Sequence, residues 1–213
     1  ESQKQGIYEI VGLAHSMLSN YVEKYGPPLP PGYTLYAPEQ TCLVPVPGVL
    51  NAFLEGTLDT LVLDARGRIC IEEHKTYGAR PKIEILAMND QFLAYDWIVH
   101  QLFPDAAIGG VLYDGLWKRK APPKGRTFDD LFFRHTFPHS NAELENFGKW
   151  LHDIVCDMMN DPSIYPNRTW MGCFDCRMER LCTAITRGED VDYIRSQFYM
   201  KREKRVDLDF DFD

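Results

Sequence analysis

Residues 56–76 constrain the fold of this chain most, because they form the pattern of a β-hairpin with a defined register. Two runs of alternating side chains flank Ala65-Arg66-Gly67, a triplet that suits a three-residue loop with glycine in the left-handed conformation. The register set by such a loop places Asp59 directly opposite Glu73. Residues opposed in this way have Cβ atoms about 4.5–5.5 Å apart. The sequence therefore predicts two neighbouring carboxylates on one hairpin.

One face of the predicted hairpin holds the residues that could take part in catalysis. Successive side chains of a strand point to opposite faces, so Lys75 shares a face with Asp59 and Glu73. The rest of this face is apolar and consists of Leu61, Leu63, Ile69 and Ile71. The opposite face is mixed and consists of Thr60, Val62, Cys70, Glu72 and His74.

Two carboxylates side by side on an apolar face favour a metal site. Their burial and mutual repulsion are costly and raise the pKa of at least one of them, and a divalent cation removes that cost. Mg²⁺ binds oxygen ligands, and Lys75 is placed to orient a water molecule or to neutralise a phosphate. The alternative reading is a cross-strand ion pair between glutamate and lysine at a solvated sheet edge.

The rest of the chain predicts a mixed α/β fold with no membrane span. Hydrophobic periodicity indicates helices at 5–25, 83–103 and 141–160, and strands at 33–46, 51–64, 68–76, 106–117 and 131–137. We expect a core domain over 1–165. Residues 166–213 would then hold a cysteine cluster, short helices and an acidic tail, packed on the core.

A second motif follows the hairpin. Helical spacing places Gln91 and Tyr95 on one helix face. The chain thus presents Gly-x-x-Asp, then Glu-x-Lys-Thr, then Gln-x-x-x-Tyr, at 56–59, 73–76 and 91–95. This succession resembles the RecB-type branch of the PD-(D/E)XK nuclease superfamily, which includes CRISPR adaptation nucleases, and it looks closest to phage exonucleases. The resemblance implies a restriction-endonuclease-like core, with a mixed sheet flanked by helices.

The resemblance also implies a role for each motif residue. Asp59 and Glu73 resemble the metal ligands, and the main-chain carbonyl of His74 would complete the shell. Lys75 resembles the catalytic lysine. The residues expected to line the site and to help place DNA are Gln91, Tyr95 and Thr76.

A further ligand is expected from an earlier helix. Many members of the branch supply a histidine in a Gly-x-x-His setting, and Gly12-Leu13-Ala14-His15 fits that pattern. The alternative for His15 is a polar residue on an amphipathic helix. Glu39, which precedes the first strand of the hairpin, is the fallback candidate for an acidic ligand.

Cys173, Cys176 and Cys182 form a Cys-x2-Cys-x5-Cys cluster. Closely spaced thiolates can bind one metal centre, and this spacing resembles the C-terminal cysteines of iron–sulfur members of the same branch. The resemblance implies a 4Fe–4S cluster whose fourth cysteine lies far upstream, yet no cysteine precedes Cys42. One alternative is that a trimmed start carried this cysteine, since the chain opens without Met. The others are that Cys42, Cys70 or Cys156 substitutes, that zinc replaces the cluster, or that no cluster forms.

A basic loop provides the expected contact with nucleic acid. Lys118, Arg119 and Lys120 follow Trp117, and Lys124 and Arg126 come shortly after. Such a loop can follow a phosphate backbone while an aromatic side chain stacks on bases. Because the net charge is −8, a local patch of this kind must carry DNA binding.

These features together predict a Mg²⁺- or Mn²⁺-dependent deoxyribonuclease. We expect an exonuclease acting on single-stranded DNA or DNA ends in phage recombination or replication. One alternative is a CRISPR adaptation nuclease that trims captured DNA, and another is a catalytically idle DNA-binding or scaffold protein of the same fold. The expected location is the cytoplasm, which would be that of the bacterial host if the protein is phage-encoded. The expected partner is a second copy of the chain, or a recombination or CRISPR protein.

Overall fold

The computed structural model describes residues 2–26, 29, 32–160, 169–174 and 176–201. The chain divides into two compact units, residues 1–160 and residues 161–213. The predicted domain boundary at residue 165 and the acidic tail at 206–213 lie outside the described residues.

A five-stranded mixed sheet forms the centre of the first unit. The elements in chain order are α1 (Ser2–Tyr25), β1 (Thr34–Pro45), β2 (Phe53–Leu63), β3 (Ile69–Tyr77), α2 (Ile83–Leu86), α3 (Asp90–Leu102), β4 (Ile108–Trp117), a 3₁₀ turn (Phe128–Leu131), β5 (Phe132–Phe137) and α4 (Asn141–Asn160). The strands lie in the order β1-β2-β3-β4-β5. Only β3 and β4 run parallel among these neighbours, because α2 and α3 form the crossover between them. The predicted α/β architecture is confirmed.

Helices pack against both faces of the sheet. On one face, Phe92 and Ile98 of α3 are fully buried in the main apolar core with Leu61 and Ile71 of the hairpin. On the other face, Tyr21 of α1 packs in a smaller cluster of aromatic and apolar side chains. No helix within the described residues is both long enough and apolar enough to cross a membrane.

The hairpin has the predicted register. Residue pairs from Leu63–Ile69 to Thr60–Glu72 follow the predicted pairing, and Gly67 closes the loop with φ 74°. The ladder ends at Thr60–Glu72, one step before Asp59. Asp59 is therefore linked to β3 through its side chain rather than through ladder hydrogen bonds.

The predicted continuous helix over 83–103 is wrong in one respect, because the segment forms two helices. α2 ends at Leu86, and α3 begins at Asp90 with Asn89 as its N-cap. The Asn89 side chain accepts a hydrogen bond of 2.9 Å from the main-chain N–H of Gln91. A capping asparagine satisfies a donor that a continuous helix would have bonded internally, so it starts a new helix at a defined residue.

The second unit contains short helices. They are α5 (Trp170–Cys173), α6 (Glu179–Arg187) and α7 (Val191–Phe198). Tyr199, which follows α7, donates a hydrogen bond of 3.0 Å from its hydroxyl to the carbonyl of Arg177. The same hydroxyl accepts a bond of 3.4 Å from the N–H of Leu181, so one side chain links the end of α7 to the start of α6.

Candidate active site

Asp59 of β2 and Glu73 of β3 form an acid pair at the edge of the main core. Glu73 is 1% exposed, whereas Asp59 is half-buried. The Asp59 carboxylate accepts a hydrogen bond of 3.0 Å from the main-chain N–H of His74. The Nζ atom of Lys75 lies 2.5 Å from Oε1 of Glu73. Oε2 of Glu73 is buried and has no hydrogen-bond partner among the described residues.

The electrostatics of the pair suit a cation. Burial raises the pKa of the Glu73 carboxyl, the hydrogen bond from Lys75 lowers it, and the negative charge of Asp59 raises it. The result is a raised pKa, because the charged carboxylate has lost water and faces another acid. A divalent cation would favour the charged form, and carboxylate oxygens are the ligands that Mg²⁺ and Mn²⁺ prefer. The open Glu73 oxygen beside Asp59 therefore fits such an ion.

Helix α3 supplies the second half of the network. Nε2 of Gln91 donates to Oε1 of Glu73 over 3.2 Å and to the hydroxyl of Tyr95 over 2.9 Å. Since the Tyr95 hydroxyl accepts this bond, its own proton is free to be donated elsewhere. The structure thus brings Asp59, Glu73, Lys75, Gln91 and Tyr95 into one connected group.

A glycine allows α3 to come this close. A Cβ atom on Gly56 would lie 2.7 Å from Cδ1 of Ile98 and 3.4 Å from Cε1 of Tyr95. The first contact is shorter than normal packing, so a side chain here would force the buried Ile98 side chain to shift. The glycine of the Gly-x-x-Asp motif therefore leaves room for Ile98 of α3 against β2.

Other predicted site residues are not bonded to this group within the part of the chain that the structure describes. His15 on α1 and Glu39 on β1 are exposed, and within the described residues neither side chain forms a hydrogen bond or ion pair with Asp59 or Glu73. Thr76 is exposed on β3. The roles of these three residues stay predictions, as does the role of the His74 carbonyl.

The basic loop follows β4. Lys118, Arg119 and Lys120 are exposed, and the Arg119 guanidinium lies 4.7 Å from the centre of the Trp117 ring. The carbonyl of Lys120 accepts a hydrogen bond of 3.0 Å from Asn20, which connects the loop to α1. Farther along, Arg126 lies 3.5 Å from Asp130, which offsets its charge.

A buried polar cluster that the sequence did not predict lies on the opposite face of the sheet. Asp114 of β4 accepts hydrogen bonds from Tyr21 over 2.5 Å and from Arg134 over 2.7 Å. Glu72 lies next to them, with its Oε1 atom 3.9 Å from Nη2 of Arg134. The Arg134 guanidinium also lies 3.7 Å above the ring of Tyr25. Alternation along β3 placed Glu72 on this face, but its partners come from distant segments and left no local signal.

The predicted cysteine cluster lies in the second unit. Cys173 ends α5, Cys176 is in the following turn and Cys182 is on α6; the first two are exposed and the third is half-buried. All three are free thiols. In the first unit, Cys42 and Cys70 are buried in the sheet, and burial raises the pKa of the Cys70 thiol to about 11. Their environment is that of core residues and is unfavourable for a thiolate ligand.

Most of the chain matches a known protein family. Residues 2–183 match the family model of the PD-(D/E)XK nuclease superfamily. Among solved structures, the crystal structure of SSO0001 is similar, with 15% sequence identity and a TM-score of 0.40; the match covers 84% of this chain and 69% of that chain. No curated protein gives a significant match.

The opposite-face cluster predicts a pH dependence of stability. Burial and the charge of Asp114 raise the pKa of Glu72 to about 7, whereas Arg134 lowers it. Between the ordinary value of 4.5 and about 7, the folded protein holds a proton on Glu72 that the unfolded chain has lost. The contribution of Glu72 to the free energy of unfolding therefore falls as pH rises through this range.

The glutamine of the Glu72→Gln variant cannot ionise. We therefore expect the melting temperature of this variant, minus that of the unmodified protein, to increase as pH rises from 5 to 8. Thermal unfolding in the presence of a chelator measures the difference. Glu84→Gln, at an exposed position on α2, is the matched control and should show no such trend. A constant difference between the Glu72 variant and the unmodified protein across this pH range would contradict the prediction.

Proposed function

Because the chain belongs to the PD-(D/E)XK nuclease superfamily, we propose that it is a metal-dependent deoxyribonuclease that cuts phosphodiester bonds at the acid pair. One observation carries this proposal. Glu73 is buried, is bonded to both Lys75 and Gln91, and keeps one carboxylate oxygen open beside Asp59. A purely structural ion pair would have no need for that open buried oxygen.

Each side chain of the group has a task in this reaction. Asp59 and Glu73 would hold Mg²⁺ or Mn²⁺, with His15 and the His74 carbonyl as the further ligands that the family resemblance implies. When bound, the ion supplies Lewis acidity toward a phosphate oxygen. Nζ of Lys75 lies 2.5 Å from Oε1 of Glu73, a position from which it would offset charge that develops on the phosphate.

The two helix residues, Gln91 and Tyr95, position other groups and stay uncharged. The Gln91 amide holds the Glu73 carboxylate and the Tyr95 hydroxyl in fixed relation. Tyr95 then has one free O–H to donate to a DNA phosphate. Burial raises the pKa of Tyr95, which keeps this hydroxyl protonated at neutral pH.

We propose single-stranded DNA or DNA ends as the substrate. The exposed Lys118, Arg119 and Lys120 would contact phosphates, and Trp117 with its stacked Arg119 offers a platform for a base. The motif order resembles the RecB-type branch and its phage exonucleases, which favours exonuclease action in phage recombination or replication. Trimming of captured DNA in CRISPR adaptation is the alternative that the cysteine spacing supports. A protein partner, self-association and a cytoplasmic location stay predictions.

We also propose that Cys173, Cys176 and Cys182 bind an iron–sulfur cluster in the second unit. Free thiols within ten residues, two of them exposed, are compatible with cluster ligation. No fourth ligand is identified among the described residues. Cys156 is the least buried of the remaining cysteines, and its Sγ atom lies 3.5 Å from Nε2 of His152.

Substitutions in the acid pair test the reaction. Glu73→Gln and Asp59→Asn keep the side-chain shape but remove a charged oxygen ligand, and Lys75→Met removes the cation. Each should lower the rate of Mn²⁺-dependent cleavage of end-labelled DNA by about 10²-fold or more. Melting temperatures in chelator should hold or rise for the two acid variants, because one source of repulsion is gone.

Glu84→Gln serves as the matched control and should retain full activity. Undiminished cleavage by a purified Glu73→Gln or Lys75→Met protein would rule out the acid pair as the site of reaction.

Substitutions in the basic loop test the contact with DNA. The triple variant Lys118→Ala, Arg119→Ala, Lys120→Ala should bind single-stranded DNA more weakly. The dependence of log K on log salt should flatten by about 0.7 for each phosphate contact removed. Fluorescence anisotropy in chelator measures binding without cleavage, and Lys149→Ala on α4 is a control for the loss of one exposed positive charge. Equal salt slopes for the triple variant and the unmodified protein would place the DNA elsewhere.

Metal content tests the cysteine cluster. Anaerobically purified protein should contain iron and sulfide and absorb broadly in the visible range. Cys173→Ala, Cys176→Ala or Cys182→Ala should remove that absorption, whereas Phe174→Ala, an exposed residue in the same turn, should keep it. Stoichiometric zinc without iron would show that the thiols form a zinc site instead.

A further inference from the structure

The two faces of β3 carry separate sets of polar side chains. Glu73 and Lys75 face α3, whereas Glu72 and His74 belong to the opposite face because side chains alternate along the strand. His74 is the direct neighbour of Asp114 in the parallel ladder between β3 and β4. One possible ligand atom from each of Glu72, His74 and Asp114 lies within 4.8 Å of the other two.

The two carboxylates of this group are only partly hydrogen-bonded. Glu72 is 1% exposed and Asp114 is fully buried. Both carboxylate oxygens of Glu72, and Oδ1 of Asp114, form no hydrogen bond among the described residues. Buried polar atoms are normally bonded, so these open oxygens indicate a missing positive group.

Arg134 supplies only part of the required charge. Its Nη2 atom bonds to Oδ2 of Asp114 and to the hydroxyl of Tyr21, and it is 3.9 Å from Oε1 of Glu72. One guanidinium therefore stands against two buried acids. Both oxygens of Glu72 and Oδ1 of Asp114 stay without a hydrogen bond within the described residues.

We propose that Glu72, His74 and Asp114 form a second divalent-cation site, on the face of the sheet opposite the acid pair. Two carboxylates and one imidazole suit a first-row transition ion such as Mn²⁺ better than Mg²⁺, which prefers oxygen ligands alone. The bound ion would join β3 to β4. Through the other oxygen of Asp114 it would also connect to Tyr21 of α1 and Arg134 of β5.

The site can be isolated from the acid pair and from the cysteines. The full chain carrying Asp59→Asn and Glu73→Gln removes the first pair. Mn²⁺ is the probe, because thiolates are poor ligands for it. The electron paramagnetic resonance signal of aqueous Mn²⁺ measures the free ion, and the amount bound is the total minus the free. A nitrogen hyperfine coupling of the bound ion indicates contact with an imidazole.

We expect this double variant to bind one Mn²⁺ with nitrogen coupling, and adding His74→Ala should weaken the affinity by roughly tenfold or more, since one of three protein ligands is lost. His74 is exposed, so its removal leaves the core intact even if Asp114→Asn fails to fold. His135→Ala, on β5, is the control and should leave Mn²⁺ binding unchanged.

Absence of Mn²⁺ binding by the double variant would overturn the proposal and leave a proton shared between Glu72 and Asp114 as the compensating charge. Binding that survives His74→Ala unchanged would overturn it as well. The experiment reads no DNA cleavage, so either failure leaves the proposed nuclease reaction standing.

Discussion

Two adjacent glutamates on the central strand, both buried, impose the main constraint on this structure. Glu72 and Glu73 point to opposite faces of β3, and each is 1% exposed. A buried carboxylate is stable only with hydrogen bonds or opposite charge nearby. Each face of the sheet accordingly brings polar groups to its glutamate: Lys75 and Gln91 on one side, and Arg134 on the other.

Neither glutamate is fully compensated by these groups. Three of the four oxygens lack a hydrogen-bond partner among the described residues. Ordinary folding stability would favour fewer open atoms, because each one costs free energy when it is removed from water. The arrangement is consistent with a protein whose folded state is completed by ions. On the α3 face the open oxygen belongs to a residue of the nuclease motif, and on the α1 face the open oxygens do not.

The parts of this structure that the sequence predicted are those set by local rules. The loop at 65–67 fixed the hairpin register, and helical spacing brought Gln91 and Tyr95 to one face. The break before α3 was missed, because Asn89 acts as a cap only when the chain turns into a new helix there. The cluster around Asp114 was missed because Tyr21 and Arg134 approach it from segments 93 and 20 residues away. Contacts of that kind depend on the order of strands in the sheet, which periodicity does not encode.

The start of α3 at a capping residue has a consequence for how this region tolerates change. Because Asn89 fixes the first turn of α3 through its own bond to Gln91, the position of Gln91 does not depend on a continuous helix through α2. The part of the connection that is free to vary is the exposed stretch at 82–85, because Leu86 packs against the core and the Gly78 carbonyl accepts a hydrogen bond from Trp117. Insertions or deletions there are expected to alter the exposed surface beside the site while the residues of the acid pair and of α3 keep their mutual geometry.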